Sequence, residues 1–121
     1  MIHLPPMFTN ILLVWFHFIG DFIAQTDRMA IGKSKSNLHL GHHCAVYAVH
    51  IAFVCSIVMP LGVLVPMVLM NTGSHFIIDY LTSRANARLW VAGERHWFFT
   101  MIGFDQALHV TILLYTASLF Y

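Results

Sequence analysis

The chain has 121 residues, of which 59% are hydrophobic and only 9% charged, with a mean hydropathy of +0.74. A water-soluble domain carries about a quarter of its residues charged, so this composition excludes an ordinary soluble domain and indicates a small integral membrane protein. The net charge of +1 by itself says nothing of nucleic-acid or acidic partners, and no nucleic acid is an expected partner; nine histidines outnumber every other ionisable type.

The first apolar segment is expected at about 7–27, where NILLVWFHFIGDFIAQ sets Asn10, His17, Asp21 and Gln25 at steps of seven, four and four. Those steps put all four on one helix face. A connection over about 28–40 carries Arg28, Lys33 and Lys35 among Gly, Ser and Asn. The second segment, about 41–59, is entered through HLGHHCAVYAVH, which aligns His39, His43, Tyr47 and His50. Cys44 and Cys55 share this helix about 16 Å apart, beyond the roughly 7 Å a disulfide spans, and act as apolar residues. MPLGVLVP (59–66) makes a tight turn, with Pro66 in the first turn of the third segment, about 66–83. There NTGSHFIIDYL places Asn71, His75 and Asp79 at strict four-residue intervals. A second connection, about 84–98, holds Arg84, Arg88 and Arg95; within it WVAGERHWFFTMIGF is also compatible with an interfacial helix, Trp90 and Trp97 at headgroup level, before a shorter fourth span. The fourth segment, about 99–121, aligns Asp105, His109 and Thr116 in DQALHVTILLYT.

Each segment is near the ~20 residues that cross a hydrocarbon core. The expected fold is all-α: one transmembrane domain over 1–121, a four-helix bundle with short connections and a polar His/Asp core. All six Lys and Arg residues fall in the two longer connections, which the positive-inside rule assigns to the cytoplasm. The expected location is the inner membrane, multi-pass, with both termini outside. MIHLPPMF lacks the positive start of a secretory signal.

Direction adds what spacing alone does not. Segments one and three run toward the basic connections with His before Asp; segment four runs away with Asp before His. Asp21, Asp79 and Asp105 are therefore expected at one depth with His43, and His17, His75 and His109 about 6 Å deeper, near Tyr47 and His50. Three aspartates in lipid cost ~2.5–3.5 kcal/mol each on insertion scales and mark a functional interior, so a positive charge is expected among them. Of the basic residues only Arg84 is close enough in sequence to Asp79 to reach the acid layer easily. A divalent metal fits best: His nitrogens and carboxylate oxygens suit zinc first, with manganese or iron compatible. The metal ligands are expected to be His17, Asp21, His43, His75, Asp79, Asp105 and His109. Gln25, Tyr47, His50, Asn71 and Gln106 are expected to orient them or to bond between helices. His3, His42 and His96 fall off the seams or near a terminus.

The set HFIGDFIAQTD, Lys33, HHCAVYAVH, HFIIDYL and GFDQALH, across about residues 13–115, resembles an uncharacterised family of small multi-span membrane proteins of bacteria and phages. More loosely, the HxxxD pairs are similar to those of membrane-bound metal-dependent hydrolases, and of soluble zinc phospholipases C and single-strand-specific zinc nucleases that hydrolyse phosphoesters. That likeness implies ligand pairs in His17 with Asp21 and His75 with Asp79, and an inverted pair in Asp105 with His109.

The expected function is an intramembrane metal-dependent hydrolase of a phosphoester such as a lipid headgroup. Two ions ~3.5–4 Å apart could bridge the phosphate and activate water, while Lys33, Lys35 and Arg84 guide the anionic substrate. Membrane lipid is the expected partner, and outward-facing apolar residues leave a homo-oligomer open. The alternatives are an ion or proton carrier on the same seam, and a non-catalytic protein held together by metal that binds a host partner. The outer half carries little polarity beyond Asn10, Thr111 and Thr116, which favours a dead-end site. No GxSxG elbow, P-loop or oriented Cys nucleophile occurs.

Overall fold

Backbone N–H and C=O groups find no partners in hydrocarbon, so a chain this apolar satisfies them within helices. The computed structural model describes residues 4–120 and is helical throughout, with no strand among them. Helix α1 (Pro6–Phe18) runs into a π-helical turn (Ile19–Ile23); α2 (Asp27–Gly32), α3 (Asn37–Val58), α4 (Leu61–Val91) and α5 (Arg95–Ser118) follow. Four stretches are long and apolar enough to cross a membrane: Pro6–Ile23, Asn37–Val58, Leu61–Val91 and Arg95–Ser118. His3 and Tyr121, the last residue of the expected fourth span, lie outside the described residues.

Neighbours in sequence are neighbours in space. Helix α3 packs on α1 and α4, α5 packs on α4, and α5 returns to close on α1, giving an up-down-up-down ring of four long helices. The connection carrying α2 and the α4–α5 turn fall at the same end, which gathers all six Lys and Arg residues there.

Three boundaries differ from the sequence expectation. Pro60 caps α4 at Leu61, so the turn shrinks to Met59 and Pro60, and Pro66 sits inside the helix rather than in its first turn. The bond its ring forgoes is the one to the carbonyl of Gly62, close to the helix end, where the loss is tolerated. The expected 84–98 loop is mostly helix: α4 has 31 residues, about 46 Å against a ~30 Å hydrocarbon core. It ends at Val91, Gly93 turns the chain with a φ of +76° that favours glycine, and α5 starts at once at Arg95, so no separate helix lies between them. Arg95 stacks its guanidinium 3.8 Å over Trp90. The first connection is no plain loop either. Thr26 caps α2 by accepting from the Met29 N–H at 3.3 Å, and α2 folds back against α3.

The ring divides its interior by depth. The half away from the basic end is filled by apolar residues, among them Leu13, Ile51, Val54, Val58, Met67 and Leu113. The half toward the basic end holds His17, Asp21, His43, His75, Asp79 and His109, all buried. Trp15, Val49, Phe53, Leu69, Ile77 and Tyr115 face outward. Cys44 and Cys55 are buried free thiols.

A Cβ at Gly103 meets only open space, whereas Gly20 makes a close approach, its Cβ position 3.1 Å from His50 Cβ and 3.5 Å from Tyr47 Cα. Gly20→Leu is therefore expected to force α1 from α3 and destabilise by about 1–3 kcal/mol, the usual overpacking cost. Gly103→Leu should stay within about 0.5 kcal/mol. Thermal unfolding of both variants in detergent checks this, and equal midpoints would contradict the packing assignment.

Candidate metal centre

The polar seams converge through a local irregularity. The Ala24 N–H reaches back five residues to the Ile19 carbonyl at 2.8 Å, the i→i+5 pattern of a π-bulge, a feature frequent at functional sites. The extra residue re-aims Asp21: His17 before the bulge meets Tyr47 and Gln106, while Asp21 within it meets His43 and His75.

Four buried ligand atoms come together from the π turn, α3 and α4. His43 Nε2 lies 3.0 Å from Asp21 Oδ1, 3.0 Å from His75 Nε2 and 3.2 Å from Asp79 Oδ2. His75 Nε2 lies 3.4 Å from Asp21 Oδ1 and 3.6 Å from Asp79 Oδ2. All four atoms fall within 4.8 Å of one another. Tetrahedral N and O ligands at ~2.0–2.1 Å from a zinc ion stand about 3.3 Å apart, so these separations bracket the edges of such a site. The residues fit a divalent ion in number, type and spacing.

The expected two layers merge. Side chains one turn apart on a helix lean together, and His75 and His109 each reach the acid layer. His109 Nε2 is 3.2 Å from Asp79 Oδ1 and 3.5 Å from Asp105 Oδ1. Gln106 donates from Nε2 to Asp21 Oδ2 at 2.7 Å and to Asp105 Oδ2 at 3.0 Å, tying α5 to the π turn. Its Oε1 accepts from His17 Nε2 at 3.0 Å, which leaves His17 Nδ1 to accept from the Tyr47 hydroxyl at 3.3 Å. Both His17 nitrogens are thus engaged, and His17 stands outside the four-atom group. Tyr47 also stacks on the His75 ring, centroids 4.0 Å apart.

The positive partner of the acid layer is not Arg84. Arg84 donates to Asn37 Oδ1 at 2.8 Å and to the Tyr80 carbonyl at 3.0 Å, and stacks over the Tyr80 ring. Lys33 makes the contact instead, its Nζ 2.9 Å from Asp79 Oδ2 with its side chain only 18% exposed. The fold-back of α2, whose Gly32 lies against His39, brings it there. Burial disfavours the Lys33 ammonium, but the Asp79 and Asp21 carboxylates outweigh it and hold Lys33 above its ordinary pKa. With the imidazoles neutral, as they are when they ligate a metal, three carboxylates against one ammonium leave a formal charge of −2, equal and opposite to that of one divalent cation.

Other expected residues fall elsewhere. Asn71 donates to Thr116 Oγ1 and to the Met67 carbonyl, both at 2.9 Å, fastening α4 to α5 away from the cluster. His50 bonds to the Val46 carbonyl of its own helix. Gln25 lines a cavity of about 290 Å³ between the π turn, α2, α4 and α5, together with Asp21, Lys33, Asp79, Thr82, Asp105 and Gln106. Gln25 Oε1, Ser83 Oγ and Asn86 Oδ1 on its wall have no hydrogen-bond partner among the described residues. Thr82, which donates to Asp105 Oδ1 at 2.5 Å, was missed. It lies three residues beyond Asp79 on the same stripe, a signal the spacing already held.

The family described as "Protein of unknown function (DUF3307)" matches residues 8–121, and the chain belongs to it. No curated protein and no solved structure matches the chain.

The Lys33–Asp79 contact makes a direct test. Removing one member of a buried pair leaves the other charge uncompensated and costs about 3–5 kcal/mol, so Asp79→Asn and Lys33→Met should each destabilise strongly. The double variant should cost clearly less than the sum, with a coupling of about 1–3 kcal/mol, whereas Asp27→Asn on exposed α2 should change nothing. A double-mutant cycle on thermal midpoints in detergent measures it; simple additivity contradicts the pairing.

Proposed function

We propose that the chain is a multi-pass membrane protein that binds a divalent metal and hydrolyses a phosphoester, such as a lipid headgroup, from the cytoplasmic side. The observation that carries this reading is the convergence of Asp21, His43, His75 and Asp79, whose ligand atoms lie within 4.8 Å of one another beside a cavity that Asp21 and Asp79 line. Zinc suits two imidazoles and two carboxylates best, with manganese or iron compatible. A divalent ion there supplies Lewis-acid polarisation of a phosphoryl oxygen.

The chain's own residues supply the rest. Lys33, on the cavity wall, attracts and orients an anionic group while its contact with Asp79 holds it in place. The unpartnered oxygens of Gln25, Ser83 and Asn86 accept or exchange hydrogen bonds with the polar part of a substrate. Gln106 holds Asp21 and Asp105 at once, and Tyr47 packs flat on His75, which orients these three carboxylate and imidazole groups. All of these groups belong to one chain, so the site needs no second copy.

The carrier reading is less well supported. A conduit needs polar groups through both halves, but below His17 and Tyr47 the interior is apolar. The buried polar groups there, Thr9, Asn71 and Thr116, include a pair that satisfies itself. The basic end, from which Lys33 lines the cavity, is the end the positive-inside rule assigns to the cytoplasm; both termini then lie on the outer side of the inner membrane.

Protein purified in detergent without chelator is expected to carry at least about one divalent ion per chain, and chelation should lower its thermal midpoint, since a ligand at ~1,000 times its Kd stabilises by about 4 kcal/mol. Metal-free protein whose midpoint ignores added zinc, manganese and iron would replace this reading with a proton network. For orientation, Ser36→Cys should label only from the cytoplasmic side, Cys44 and Cys55 being buried and silent; labelling from the periplasm inverts the topology.

A further inference from the structure

The two oxygens of Asp79 face different partners. Oδ2 belongs to the group formed with His43 and His75, while Oδ1 lies 3.2 Å from His109 Nε2. Asp21 divides in the same way: Oδ1 faces His43 and His75, and Oδ2 turns to Gln106, with His17 Nε2 at 3.8 Å. Asp21, Asp105 and His109 themselves offer ligand atoms within 4.8 Å of one another. The rings of His75 and His109 stack with centroids 4.1 Å apart. Each ring directs its Nε2 to a different oxygen of one carboxylate. The two rings thus address adjacent positions on the two sides of the Asp79 carboxylate, as neighbouring ions sharing a bridging carboxylate require.

We propose that Asp21, Asp79, Asp105 and His109 form a second divalent-cation site beside the first, with Asp21 and Asp79 bridging the two ions. This rests on the metal reading above and adds a distinct site to it. The first ion brings the three carboxylates and Lys33 from −2 to zero; the second carries the centre to +2. An unaccompanied second ion is therefore disfavoured, and an anion in the cavity offsets it. The second site fills together with a phosphoryl group, so the centre recognises a substrate by the charge it brings.

Equilibrium dialysis and electron paramagnetic resonance of the metal-stripped chain in detergent, titrated with manganese(II) in the presence of inorganic phosphate, test this. The full chain should take up two ions: first an isolated-ion signal, then its replacement by an exchange-coupled one. Asp105→Asn and His109→Gln should keep the first ion and weaken the second at least about tenfold, while His43→Gln should weaken the first. Saturation at one ion with only the isolated signal overturns the second site and leaves the first intact. Two coupled ions persisting unchanged in both Asp105→Asn and His109→Gln overturns the ligand assignment. Uptake of no ion at all removes both sites. The unsubstituted chain decides between one ion and two, so a variant that fails to fold does not spoil the test.

Discussion

Burying Asp21 and Asp79 between apolar helices, with Asp105 half-buried beside them, is the constraint on which the rest of the bundle depends. A carboxylate taken out of water loses several kcal/mol of solvation unless something nearby replaces it. In a domain whose net stability is about 5–15 kcal/mol, three such groups need organised compensation. The chain supplies it from every direction: Lys33 from the folded-back α2, His43 from α3, His75 from α4, and Gln106 and His109 from α5. The positions of these elements follow from that need. The π-bulge turns Asp21 inward, and Gly20 lets α1 approach α3 closely enough for the contact.

Compensation also explains why the molecule is asymmetric along its long axis. Polar groups sit toward the end with Lys and Arg, under a cavity, while the other end is packed with Leu13, Ile51, Val54, Met67 and Leu113. Dispersion and close packing hold the apolar half, as in any protein interior. The charged half is specified by geometry, and its cohesion depends on the charge at its centre. Away from the basic end the polar half gives way to that apolar packing.

Much of this was legible in four-residue spacing. The steps from His17 to Asp21, His75 to Asp79 and Asp105 to His109 fix one polar face per helix, and the reversal of order in α5 fixes the depth at which they meet; the Asp21–Gln106–Asp105 bridge agrees with that depth. Periodicity did not reveal the π-bulge, because the four-residue steps from His17 through Asp21 to Gln25 read as an unbroken α-helix. Nor did it reveal that Lys33 rather than Arg84 meets Asp79: sequence distance favoured Arg84, but a helical residue five positions past Asp79 points elsewhere, while α2 carries Lys33 across. The length of α4 was underestimated because its final turns, with Arg84, Asn86 and Arg88, read as a polar loop. Those polar residues are compatible with a helix that has already passed beyond the apolar region.

The proposed divalent ion among Asp21, His43, His75 and Asp79 is open to direct measurement. X-ray absorption at the edge of the bound metal in the purified protein addresses it most directly. The account predicts a first shell of only nitrogen and oxygen at ~2.0–2.1 Å, with outer-shell scattering from two imidazoles. A sulfur shell at ~2.3 Å, which would put Cys44 or Cys55 at the metal, or a shell of oxygen without imidazole, would contradict it.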